Sequence, residues 1–378
     1  MQLSDLLSFF TNSGFANIMW SQIFMIALGL GIIYIAIAKH AEPLLLIPLG
    51  FGMIMANLPP EMTGILLAPQ NGQPGGLLWY IKQGMELGIY PPLIFLGIGA
   101  LTDFSYLIAD PKLLILGGAA QVGIFVTFII ANLMGFDLRA AAAISIIGGA
   151  DGPTSIYLAS RFSPELLSVI AVAAYSYISL IPILQPLISR LLTTKRERKI
   201  RMKRMRNVSK RERIIFPLVT TILVSLIVPQ ALPLVGMLML GNLLKESGLT
   251  ARLAEAASRF ISDTVTILLM LSVGASATAD IFLSWSTLKI ILLGAVAFVA
   301  SLASGIIFAK TMNIFSKEKI NPLIGAAGVS AVPDSARVAQ QIAQDSDPGN
   351  FILMHAMGPN VAGVIGSAIV AGIFLSIL

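Results

Sequence analysis

Asp151 lies in Ala141-Ala-Ala-Ile-Ser-Ile-Ile-Gly-Gly-Ala-Asp-Gly-Pro-Thr-Ser155, an apolar, small-residue stretch that carries no other charge. At bilayer depth a carboxylate costs at least about 2.5–3.5 kcal/mol, so it needs a partner such as a cation. Gly148, Gly149, Gly152 and Pro153 interrupt a helix around it and free backbone carbonyls. Carboxylates and loose carbonyls at a broken helix are how secondary transporters hold Na+ or H+. Asp before Gly-Pro also commonly caps a helix, and residue type alone leaves both readings open. Asn360, in a Gly358-Pro-Asn break, offers an amide oxygen, although a membrane Asn more often makes a helix-to-helix hydrogen bond. Arg337 has the planar fork of donors that suits a carboxylate, with Asp334 as the nearest candidate partner.

The elements that must position these residues are membrane helices. Hydrophobic residues make up 56% of the 378 and charged ones only 12%, against roughly 25% charged in soluble domains. Several apolar runs reach the roughly 20 residues that cross a bilayer, which predicts an all-α polytopic membrane protein. There is no cysteine, so disulfides, thiolate catalysis and Cys-based metal sites are excluded. His40 and His355 are far apart and have no metal-ligand neighbours. Met1-Gln-Leu-Ser-Asp5 has no basic n-region, so no cleaved signal peptide is expected.

The chain repeats itself. Pro48-Leu-Gly-Phe-Gly-Met-Ile-Met-Ala-Asn57 returns as Pro233-Leu-Val-Gly-Met-Leu-Met-Leu-Gly-Asn242, and Leu96-Gly-Ile-Gly-Ala100 as Leu271-Ser-Val-Gly-Ala275. Lys112-Leu-Leu-Ile-Leu-Gly117 returns as Lys289-Ile-Ile-Leu-Leu-Gly294, and the segment ending at Pro153 has a counterpart ending at Pro333. Four matches in one order predict two membrane repeats, 15–190 and 214–378, joined by a connector at 191–213. Each half is expected to hold five crossings: 15–38, 42–58, 89–108, 112–135 and 165–187, then 214–230, 232–246, 264–283, 287–312 and 351–376. Each also holds one broken or re-entrant segment, 138–158 or 319–337, of the kind tolerated only inside protein or along a cavity. The odd number of crossings makes the topology of the halves inverted. The insertion 59–88 reads as an external loop with an amphipathic stretch at 77–88, and Asp103 and Asp280 read as helix caps.

Charge tests that threading. Residues 194–213 carry eleven Lys or Arg and must be cytoplasmic. Ten more basic residues then fall on the same side, while Lys82, Arg139, Arg161 and Lys289 fall outside. The net charge of +6 is mainly this topology signal, open also to anionic headgroups or an acidic partner, and there is no soluble domain to bind nucleic acid.

Gly148-Gly-Ala-Asp-Gly-Pro-Thr-Ser155, Ala174-Tyr-Ser-Tyr-Ile-Ser-Leu-Ile-Pro182, Asn321-Pro-Leu-Ile-Gly-Ala-Ala-Gly-Val-Ser-Ala-Val-Pro-Asp-Ser-Ala-Arg337 and Gly358-Pro-Asn-Val-Ala-Gly363 resemble the beta subunit of the sodium-pumping decarboxylases. That family acts on oxaloacetate, methylmalonyl-CoA, glutaconyl-CoA or malonate. The resemblance spans nearly the whole chain. It implies a multi-pass inner-membrane pump that releases CO2 from carboxybiotin and exports Na+. The expected partners are a biotin carrier subunit, a carboxyltransferase alpha subunit and a small membrane subunit, with homo-oligomers possible. The family's functional positions fall on Asp151, Tyr177, Asn321, Gly325, Ser330, Arg337 and Asn360. Asp151 resembles the Na+-site carboxylate, with Asn360, Tyr177 and Ser330 as further Na+ ligands. Tyr177, Ser330 and Arg337 resemble catalytic positions, and Arg337, Asn321 and Gly325 positions that hold carboxybiotin. Tyr175 and Tyr177 lie 200° apart on a helix, so only one can face the site; Tyr175 reads as the interfacial anchor. Asn321 and Gly325 share a helix face one turn apart. A plain secondary carrier of organic anions, coupled to Na+ or H+, would share the broken helices and is the competing class; Asp151 and Arg337 in their motifs favour the pump.

Overall fold

A computed structural model describes residues 13–70 and 72–378. The N-terminal leader reading and Asn71 of the insertion lie outside the described residues. Among the described residues the regular secondary structure is helical apart from one isolated bridge between Gln70 and Gln73.

The first half runs α1 (Trp20–Ala38), α2 (Pro43–Asn57), α3 (Leu77–Glu86), α4 (Tyr90–Leu101), α5 (Lys112–Ala120) and α6 (Val122–Leu133). It continues with α7 (Leu138–Ser145), α8 (Gly152–Phe162), α9 (Leu167–Ser179) and α10 (Ile181–Leu192). The second half holds α11 (Lys210–Ile227), α12 (Leu232–Glu246), α13 (Ser262–Ala275), α14 (Trp285–Phe315), α15 (Asp334–Ser346) and α16 (Leu353–Ile377).

Five of these runs are long and apolar enough to cross a membrane, or seven if two bent pairs each count as one. Several predicted crossings are irregular. The run predicted at 165–187 bends by 64° between α9 and α10, where Pro182 has no N–H to continue the ladder. The insertion's amphipathic stretch is α3, bent by 66° from α4. At 15 residues, α2 and α12 are each about 22 Å long, short of a hydrocarbon core of about 30 Å. In α11 the first turn is Lys210-Arg-Glu-Arg213, too charged for lipid.

Helices from opposite halves pack pairwise. α2 lies on α13, and α4 lies on α12. Glycines bring these backbones together: a Cβ on Gly99 would sit 1.8 Å from the Leu238 carbonyl, and one on Gly274 would sit 2.0 Å from that of Leu49. Asparagines close both contacts in the same way. Asn57 Nδ2 donates to the Ala277 carbonyl at 2.9 Å, and Asn242 Nδ2 donates to the Thr102 carbonyl at 3.3 Å.

The connector is fastened to the second half. Asn321 and Asn350 both donate from Nδ2 to the carbonyls of Arg198 and Ile200. His355 Nε2 meets the Lys203 carbonyl at 2.7 Å. Ion pairs from Arg201 to Asp347 and from Lys203 to Glu318 complete the strap. Each partner holds its carboxyl below the ordinary range, chiefly through the hydrogen bond that the cation donates.

Candidate functional site

Asp151 stands where α7 stops and α8 begins. Asp137 caps α7 by accepting from the Ala140 N–H at 2.8 Å. The helix tightens into a single 3-10 turn at Ile146–Gly149, and Ala150 takes a left-handed conformation at φ 52°. A non-glycine residue there is strained, and such strain collects at functional sites. Asp151 then starts α8, its Oδ1 accepting from the Thr154 N–H at 3.2 Å. The capping reading and the broken-helix reading both describe it. Its carboxylate is nonetheless buried, 5% exposed, and Oδ2 accepts from Ser367 Oγ at 2.6 Å.

The second break follows the short helix Leu323–Ala326 and precedes α15. The two breaks touch: the Ser330 N–H donates to the Gly149 carbonyl at 2.8 Å. Ser330 Oγ reaches Ser367 Oγ at 3.4 Å, so a chain of hydroxyls leads from the second break to Asp151. Asn360 anchors the same stretch, its Nδ2 donating to the carbonyls of Ala327, Val329 and Ala331 at 3.0, 2.6 and 3.2 Å. The expected break at Gly358-Pro-Asn360 is absent, because α16 runs unbroken through Pro359. A proline removes one hydrogen bond, and protein packed around a membrane helix can satisfy the freed carbonyl.

A cavity of about 530 Å³ takes in Asp151, Ser330 and Arg337 together, with Asp103, Tyr106 and Met354 along its wall. Asp103 also caps a turn, accepting from the Ser105 N–H at 2.9 Å. Arg337 is 3.6 Å from Asp334, with side chains 68% and 45% exposed. Such an exposed pair contributes little and leaves the guanidinium available. Among the described residues no three of His, Cys, Asp or Glu gather. Of the two carboxylates that line the cavity, Asp103 and Asp151, Asp151 is the buried one, and it meets the hydroxyl of Ser367.

The remaining predicted residues lie elsewhere. Tyr177 donates its hydroxyl to the Ile291 carbonyl of α14. Tyr175 is the tyrosine beside the break, its ring filling the space where a Cβ on Gly152 would sit. Asn321 is fully buried, with its amide committed to the connector and its Oδ1 to the Leu323 N–H. Gly325 serves close packing, since a Cβ there would lie 2.1 Å from the Gly305 carbonyl. None of Tyr177, Asn321 and Gly325 lines the cavity with Asp151.

Two residues escaped sequence reasoning. Ser367 follows Asn360 by seven positions, two helical turns, which puts both on one face of α16; that spacing was a usable signal. Gln121 is a lone amide between the apolar runs of α5 and α6.

The model of the family described as the Na+-transporting oxaloacetate decarboxylase beta subunit matches residues 21–378. The methylmalonyl-CoA decarboxylase subunit beta of Propionigenium modestum is 53% identical over 99% of both chains. The glutaconyl-CoA decarboxylase subunit beta of Acidaminococcus fermentans is 51% identical over 99% of this chain and 97% of its own. The oxaloacetate decarboxylase beta chain of Klebsiella pneumoniae is 47% identical over 94% of each. With a whole-length match carried by membrane helices and two interlocked breaks, the chain belongs to the family of Na+-transporting oxaloacetate decarboxylase beta subunits, as the membrane component of a decarboxylase.

Proposed function

We propose that this chain decarboxylates carboxybiotin and uses the free energy to export Na+ across the cytoplasmic membrane. The observation that carries the reading is the single cavity with Asp151 at its buried end and the exposed Arg337 among its lining residues. Arg337 grips the carboxylate of the incoming group with its two-donor fork. Inside, burial strips water from that carboxylate. The carbon–nitrogen bond breaks, CO2 leaves, and the electron pair stays on the ureido nitrogen, which takes up a proton. Ser330 and Ser367 are the hydroxyls placed to pass that proton from or past Asp151. Asp151 holds Na+ with neutral oxygens around it.

Exporting one charge against 100 mV costs about 2.3 kcal/mol before any concentration gradient, so CO2 release without bound Na+ would waste the drive. A gate is needed, and two inverted repeats, 15–190 and 214–378, would supply one by alternating access. The reciprocal contacts of α2 with α13 and of α4 with α12 support the repeat. Asn57 and Asn242 hold repeat-equivalent positions, as do their acceptors Thr102 and Ala277.

The connector faces the cytoplasm and meets the partners. Asp103, Tyr106 and Met354 of the cavity wall also line a second hollow of about 430 Å³ that includes Arg204 and Arg206 of the strap. A biotin carrier subunit delivers its group through it, charged beforehand by a carboxyltransferase alpha subunit; a small membrane subunit and further copies of this chain complete the assembly. In proteoliposomes of the complex, Asp151→Asn should abolish Na+-dependent decarboxylation and Na+ uptake while the protein stays folded. Near-normal Na+ transport by that variant would remove Asp151 as the cation's carboxylate.

A further inference from the structure

Gln121 sits at the junction of α5 and α6, 3% exposed. A side-chain amide has two donors on nitrogen and an acceptor on oxygen. Its nitrogen donates to the carbonyls of Gly117 at 3.2 Å and Gly328 at 3.5 Å. With both donors on carbonyls, the oxygen must point the other way. It has no partner there, and it faces Gly149: a Cβ on that glycine would lie 3.4 Å from Gln121 Oε1 and 3.1 Å from Ser367 Cβ. Ser367 is the residue that donates to Asp151. The bare oxygen therefore borders the Asp151 cluster, with no side chain on Gly149 to come between them.

Asn360 repeats the pattern. Its nitrogen is taken by the carbonyls of residues 327, 329 and 331, and its oxygen is buried without a partner. The carbonyl of residue 328 goes to Gln121 instead. The second break is pinned between two amides, and each has an acceptor left over. Buried polar atoms are nearly always paired, so the bare Gln121 acceptor bordering the Ser367–Asp151 pair calls for a cation. We infer that Gln121 Oε1 is a ligand of the ion held at Asp151 and helps select which ion is accepted; this rests on the reading of Asp151 as the Na+ carboxylate.

The test uses the purified full chain, with Na+-dependent thermal stabilisation as the readout, and the intact complex, with half-maximal Na+ for decarboxylation. Gln121→Met keeps the length and loses the oxygen. It should raise the half-saturating Na+ concentration about tenfold or more and change the Na+ to Li+ ratio. Gln121→Glu keeps an oxygen there and loses the donors to Gly117 and Gly328; it should hold Na+ near the wild-type concentration. If the Met variant does not fold, Gln121→Asn, which withdraws the oxygen by one methylene, should weaken Na+ in the same way. Wild-type Na+ affinity in the Met variant overturns the inference. So does equal weakening by Met and Glu with an unchanged Li+ ratio, which would make Gln121 a brace for the second break. Asp151→Asn runs alongside: retained Na+ binding there sinks the reading of Asp151 itself, whatever the Gln121 variants do.

Discussion

Ser367 donates to Asp151 and meets Ser330, so one hydroxyl stands between the buried carboxylate and the second break. Ser367→Ala should leave Asp151 Oδ2 without its donor, a loss of about 1.5–3 kcal/mol for a hydrogen bond to a charged group. The half-saturating Na+ concentration should rise, while dependence on carrier concentration should hold. Arg337→Lys keeps the charge and loses the planar fork, so the carrier concentration for half-maximal rate should rise at unchanged Na+ dependence. If Arg337 acts only on Asp334, Lys will be tolerated. That Asp151 and Arg337 stand at breaks was legible because breaks and charges announce themselves in an apolar chain, whereas Ser330 was reached only through the family motif; the three line one cavity. Tyr175 was read as an interfacial anchor, yet its buried ring lies against the break, since which face of α9 meets the break is decided by α14 and α8 packing around it. Asn321 entered only through the family motif, and no sequence pattern showed that its amide would be engaged by the connector's carbonyls.

Among the helices, the reciprocal glycine contacts carry the pairing of α2 with α13 and α4 with α12. Gly99→Ala would put a methyl against the Leu238 carbonyl, an overpacking that should destabilise by about 1–3 kcal/mol, read as a lower thermal midpoint in detergent. Asn57→Ala and Asn242→Ala should each lose about 0.6–1.7 kcal/mol, the range of interhelical hydrogen bonds in membranes. The helical class, the membrane runs and both broken segments could be read from hydropathy and from glycine and proline placement. The bend between α9 and α10 and the unbroken α16 could not. Pro182 and Pro359 are the same residue type in similar apolar surroundings, and only the neighbours decide whether a proline kinks its helix or is absorbed by it.

For the molecule as a whole, the proposed topology places both termini opposite the connector. A cysteine introduced at position 205 should be labelled only from the cytoplasm, and one at position 3 only from outside; labelling of both from one side would end the inverted arrangement. The strap should respond to acid. Because Asp347 and Glu318 titrate below their ordinary values when folded, their ion pairs are intact above about pH 4 and fail as pH falls through the lowered values. Amide exchange at residues 200–206, corrected for intrinsic rates, should be flat from pH 8 to 6 and rise sharply in stronger acid.

The cross-pairing also sets an order of events during synthesis. When α2 and α4 leave the ribosome, the helices that cover their glycine faces are still untranslated, since α12 and α13 begin at Leu232 and Ser262. Bare backbone grooves must wait in lipid for well over a hundred residues of further translation. A polypeptide arrested after α10 should thus stay open to protease and to insertase crosslinking, and become resistant only once α13 has been released.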